Sequence, residues 1–349
     1  MGSETTGSIF RRLKMLSILA MSMAIMACQN FSAEQKYDWS ATLSAPEEYP
    51  VQAYAGAIIA EGYQQSLAGF GDADDGWGNA SGYVVMGPDT KNLPDRLQVS
   101  WHSFVDQRNY EGAWDLPKDA IAQLFAEGFI DHTTKKKRTY TTFVIGLAPN
   151  GLVVVWLSGD GNQVEVANFK AQETLVDIDY VSDDSRPVFS KKYNDVVLSQ
   201  LNDEFNTFER IRLGEYPSPD LYEQFRQRYL WRPVVALPEE YQLDSFVLHT
   251  YNGEVEITSS DNQDRLFDYQ KRGLLKGFFF SWRDVDNVKV ATCWLEDFDQ
   301  AEVMRAYANF SPSDNVDLIV RGVGSPAISL ALRGGDKEIE INTFKATIE

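Results

Sequence analysis

Apolar positions in this chain alternate with polar ones more often than they recur at helical spacing. "YPVQAYAGAIIAE" (49–61), "RLQVSWHSF" (96–104), "LDSFVLHTYNGEVEI" (243–257) and "KGFFFSW" (276–282) read as strands, rich in β-branched and aromatic residues. "TTFVIGLAPNGLVVVWLSG" (141–159) reads as a hairpin turning at Pro149-Asn150-Gly151, with "NQVEVANFKA" as a further strand. Two stretches carry helical periodicity beside these strands. In "LPKDAIAQLFAEGF" (116–129), Pro117 suits the first turn, and Ile121, Leu124 and Phe125 share a face. "DFDQAEVMRAYANF" (297–310) is its counterpart. Between them, Val196, Val197, Leu201, Phe205 and Phe208 recur at helical spacing, "YPSP" breaks the run, and a second helix is predicted from Asp220 to about Tyr229.

The pattern occurs twice. "YDWSATLSAPEEY" (37–49) is answered by "YLWRPVVALPEEY" (229–241), with six of thirteen positions identical. "VSWHS" at Trp101 is answered by "FSWRD" at Trp282, and "LSGDGNQVEVANFKA" (157–171) by "LRGGDKEIEINTFKA" (332–346). The offset falls from 192 to 181 to 175 with order kept, as in a duplicated module whose second copy has lost loop residues. The predicted fold is α+β: two similar tandem domains, each a largely antiparallel sheet with one packed helix, joined by a helical connector. The expected boundaries are 37–190, 191–228 and 229–349. Trp39 pairs with Trp231, Trp101 with Trp282, and Trp114 with Trp294 after a one-residue gap; residues present in both copies are expected in the core. Trp156, in "LVVVWL", is also expected in the core.

Residues 1–27 read as a leader. Arg11, Arg12 and Lys14 precede a twelve-residue apolar stretch, Leu16–Ala27, too short to span a bilayer. "IMAC" then resembles a lipobox, making Cys28 the expected lipid-bearing residue and 28–36 a tether; an ordinary secretory signal is the alternative. Cys293, the second cysteine, would have no partner and reads as a small buried hydrophobe. Gln29, where aspartate would retain a Gram-negative lipoprotein at the inner membrane, favours the outer membrane, facing the periplasm.

Formal charge is −19, and removing the leader's net +2 leaves −21. That argues against nucleic acid as a partner and for acyl chains as a tether beneath an acidic body. The copies differ in two places. The loop "GFGDADDGWGNASG" (69–82) is longer in the first, and Trp77 there is a candidate partner-binding anchor with Asp72, Asp74 and Asp75 as an acidic rim. The same acids fail the EF-hand spacing, because Gly76 stands where a fifth-position acid belongs, so no metal site is expected. The run "KKKR" (135–138) is basic only in the first copy; its ordinary role is a solvated loop, and the alternative is contact with phosphate or a carboxylate-rich partner.

No GxSxG or HExxH occurs, and His102, His132 and His249 lie far apart. "GVGSPA" (322–327) leads into an alternating stretch rather than a helix and fails as a dinucleotide fingerprint. No catalytic residue and no cofactor is singled out.

"LPDRLQVSWHSFVDQRNYEGAWDLP" followed by "GLAPNGLVVVWLSG" resembles the bacterial lipoprotein family known as domain of unknown function 2931. The resemblance runs from Trp39 to about Ala171, and copy two departs from it at "RGVGSPAISLAL". It implies no catalytic residues. It implies instead a periplasm-facing immunity protein that binds and inhibits a type VI secretion phospholipase effector. A structural or assembly lipoprotein of the envelope is the alternative.

Overall fold

The computed structural model of the protein describes residues 35–82, 87–131, 133–259, 268–284, 286, 288–323 and 328–349. The expected leader (1–27), Cys28, His132 and Ser325–Ala327 lie outside the described residues. The architecture is α+β and predominantly sheet. No helix among the described residues is long and apolar enough to cross a membrane.

The first strand, β1 (Ser40–Ser44), ends at Pro46-Glu47-Glu48-Tyr49, where the Tyr49 N–H donates to the Pro46 carbonyl at 2.9 Å. This corner carries the chain out of one sheet and into another. β2 (Val51–Ala60) pairs with β3 (Tyr63–Ser66) and with β5 (Pro94–Ser103); β5 pairs with β6 (Arg108–Asp115), and β6 with β12 (Gln172–Glu173). β1 stays behind and pairs in parallel with β9 (Thr142–Ala148), which continues antiparallel into β10 (Leu152–Gly159) and β11 (Asn162–Lys170). Helix α1 (Lys118–Glu127) buries Ile121 and Phe125 in the core between the sheets. One sheet per repeat was the expectation. The corner at 46–49 produces two, because the proline and the tight turn end β1 before its pairing can continue.

β9 and β10 are buried along nearly their whole length. Phe143, Ile145, Val153 and Val155 face the first core, while Val144, Val154 and Trp156 face a second cluster on the opposite side. A sheet covered on both faces explains the continuous apolar run "LVVVWL".

Residues 229–349 repeat these pairings. β13 (Tyr229–Val235) lies parallel to β19 (Val316–Arg321), which continues into β20 (Ser329–Gly334) and β21 (Lys337–Ile341). β14 (Tyr241–Thr250) pairs with β15 (Val255–Ser259) and β17 (Leu275–Asp284), then β18 (Lys289–Glu296) and β22 (Lys345–Ile348) follow. The corner recurs too, with the Tyr241 N–H donating to the Pro238 carbonyl at 3.0 Å. Trp39 donates to the Asn92 carbonyl beneath the Lys91 ammonium; Trp231 donates to the Gly273 carbonyl beneath the Arg272 guanidinium. Ala53 opposes Trp101 as Leu243 opposes Trp282, each beside a bulge.

The pairing of Trp114 with Trp294 needs correction. Trp114 opposes Leu97, and the matching pair is Leu295 with Phe278. Trp294 opposes Phe279, one position along, and is 37% exposed. A shift of one residue in a strand moves a side chain to the other face.

The connecting stretch holds α2 (Lys191–Phe205), α3 (Thr207–Leu213) and the single turn α4 (Leu221–Gln224). Val197 and Leu201 are buried, but Val196 and Phe208 are exposed. β11 also meets β15 at Gln163 and Val255, so one nine-stranded sheet runs through both halves.

Candidate partner-binding site

The loop 69–82 is stitched to the fold along its length. Asp72 and Ala73 pair with Gln52 and Val51 of β2. The Gly76 N–H donates to the Ala45 carbonyl, the Gly78 N–H to the Ser44 hydroxyl, and the Ser81 N–H to the Leu43 carbonyl. Trp77 is therefore not the exposed anchor its acidic surroundings predict. It is 7% exposed, its ring edge-on to Trp156 at 4.9 Å and tilted against Tyr222 at 5.5 Å. Gly146 makes room for it: a Cβ there would stand 2.4 Å from the Trp156 ring and 2.8 Å from that of Trp77. Packing accounts for the burial of the Trp77 ring.

The three aspartates separate. Asp72 is half-buried and accepts the Tyr193 hydroxyl at 3.1 Å; burial raises its pKa. Asp74 and Asp75 are exposed residues, although partial desolvation of the Asp74 carboxyl, then Asp75 and Glu204, raises its pKa. The structure leaves Asp74 and Asp75 on the surface and ties Asp72 to α2.

Trp77 belongs to an aromatic column that crosses the molecule. It runs from Trp156 through Trp77 to Tyr222, then Phe225, whose ring stacks on Tyr251 of the second half at 4.9 Å. Tyr49 packs on Tyr222 and Tyr216, and its hydroxyl donates to the Pro217 carbonyl. The Tyr216 hydroxyl donates to the Glu48 carbonyl. Burial holds these phenols neutral, pushing Tyr216 and Tyr251 to about 12 and Tyr222 higher.

Beside this column opens a cleft of about 660 Å³, walled by both halves and the connector. Trp77, Tyr222, Phe225 and Tyr251 line it, with Glu47, Glu215, Asp299 and Lys276 among the charged residues around it. Glu48 is paired to Arg210, whose guanidinium lies over the Tyr216 ring at 5.3 Å. Glu47 and Glu215 are exposed. An aromatic floor with a carboxylate rim suits the cationic and aromatic side chains that dominate protein interfaces. Sequence reasoning missed this cleft. The spacing of Tyr222 and Phe225 on one helical face was the available signal.

The other candidates lie elsewhere. Both ring nitrogens of His102 are held, by Asn109 at 2.9 Å and Asn194 at 2.8 Å. His249 packs on Phe279, and burial, then Lys276, lowers its pKa. Cys293 is buried in the second core. Among the described residues, no three His, Cys, Asp or Glu side chains are placed to hold a metal ion.

The stretch from the first core through α2, including the loop 69–82, coincides with a family model. Residues 26–204 match the family described as "Protein of unknown function (DUF2931)". The chain belongs to this family. The match ends inside α2, whose Tyr193 and Asn194 bond to the first half. No curated protein and no solved structure matches the chain.

Proposed function

We propose that this DUF2931 protein is a lipid-anchored, non-catalytic binding protein of the bacterial outer membrane. In this reading it faces the periplasm and binds and inhibits a type VI secretion phospholipase effector. Its two halves are copies of one module, and the fusion serves to build the cleft at their junction. The recurring strand pairings, corner and capped tryptophans support duplication. The carrying observation is the cleft, whose wall requires residues from both halves and the connector. The net charge of −19 would steer a basic partner toward it.

The test is co-expression, in the periplasm, with the lipase-type effector encoded beside this protein's gene, followed by titration of the purified pair. Stoichiometric inhibition through an interface on the order of 1,600 Å² is expected. Absence of such a gene, or toxicity undiminished by the protein, would leave an assembly lipoprotein of the envelope as the reading.

A further inference from the structure

β1 and β9 are parallel neighbours, with Ser40 opposite Thr142, so the segments leading into them leave the sheet at the same end. One is 35–39, which runs back toward Cys28; the other contains the basic run Lys135–Arg138. They converge on the last turns of α1. The Tyr37 ring packs on Phe125 at 4.9 Å, and the Thr139 hydroxyl and Lys137 ammonium donate to the carbonyls of Phe125 and Ala126 at 2.7 and 2.8 Å. Lys36 and all four residues of the run are exposed. The Thr134 N–H and hydroxyl donate to the Asp131 carboxylate, and Asp160 faces Arg138 at 3.8 Å.

The second half supplies an internal control. Its equivalent segment, before β19, is "SPSDN" (311–315), which carries an acid and no cation. There β13 is preceded by the connector rather than the tether. The fold therefore does not require a basic run at this place, and in a chain of net charge −19 composition does not supply one. It occurs only where the anchor leaves.

We propose that the β7–β8 hairpin formed by Phe129–Ile130 and Lys137–Arg138, with Lys36, rests on the anionic phospholipid headgroups of the bilayer that holds the acyl chains. This rests on the reading of Cys28 as the lipid-bearing residue. Lys36 lies eight positions after Cys28, so the tether reaches at most about 28 Å. Attraction to the surface acts within a Debye length of about 8 Å. The hairpin would fix which end faces the lipid and turn the rest of the acidic body toward the periplasm.

The test uses the full chain, extracted from bacterial membranes and reconstituted in vesicles of phosphatidylcholine with or without phosphatidylglycerol. A donor dye at Thr133→Cys reports energy transfer to an acceptor in the bilayer, and Ser313→Cys is the control. Transfer from the hairpin should be high with phosphatidylglycerol. It should be lost in high salt, in neutral vesicles, and on combining Lys135→Gln, Lys136→Gln, Lys137→Gln and Arg138→Gln. Ser313→Cys should stay low throughout. Mass spectrometry of the same preparation reads acylation of Cys28. An acylated chain whose transfer ignores lipid charge and these substitutions overturns the docking alone; an unacylated Cys28 overturns the anchor and the docking together. Loss of effector inhibition in the four-fold variant, with transfer unchanged, would overturn it in favour of a carboxylate-rich protein partner.

Discussion

The main chain of Gly78 lies directly against that of Gly253: a Cβ on Gly78 would stand 2.6 Å from the Gly253 Cα. The Gln163 side-chain amide donates to both glycine carbonyls, at 2.7 and 2.6 Å, and the Trp156 indole donates to the neighbouring Asn252 carbonyl at 3.1 Å. Loop, first half and second half are locked at one point beside the aromatic column. Gly253→Ala places a methyl 2.9 Å from the Trp156 ring at a φ of +85°. It should destabilise the protein by about 2 kcal/mol or more, read by urea unfolding.

Trp77→Ala should cost about 3–5 kcal/mol, as for other buried aromatics. Trp77→Phe should cost much less, because the Trp77 Nε1 has no hydrogen-bond partner to lose. Equal small effects in denaturant unfolding would return Trp77 to the surface.

Much of this architecture was legible in the sequence. The "PEEY" echo marks a corner needed twice, and the Tyr-x-Trp echo marks an aromatic cap over α1 and its counterpart α5 (Gln300–Tyr307). Trp77 was not legible. Its burial depends on Tyr222 and on space left by Gly146, both distant in sequence, and local acidity says nothing of either. The Trp114 and Trp294 pairing failed for a different reason: identity of residue type outweighed the period of two.

That register has its own test. Trp294→Ser should cost about 1 kcal/mol or less. Leu295→Ala, in the second core, should cost about 2–5 kcal/mol. Reversed magnitudes would mean Trp294 faces the core.

Asp72 gives a pH dependence. Its folded pKa is raised, so the folded chain binds a proton more tightly than the unfolded one. Stability from this group is then lost as pH climbs from the unfolded value through the folded one. Asp72→Asn, which still accepts the Tyr193 hydroxyl, should match or exceed the wild type at neutral pH. The difference should close below about pH 4. A wild type that gains on the variant as pH rises would contradict the assigned direction.

The cleft is tested most directly by reversing its rim. Glu47 and Glu215 are exposed residues lining it. Glu47→Arg with Glu215→Arg should leave the unfolding transition in place. It should weaken inhibition of the effector by ~2 kcal/mol or more, roughly thirtyfold in Kd. Inhibition constants from titrating the proposed lipase effector with wild type and double variant decide the matter. A thirtyfold loss with an unchanged fold is the predicted result, and equal constants for the two proteins would contradict the assignment of the partner to this cleft.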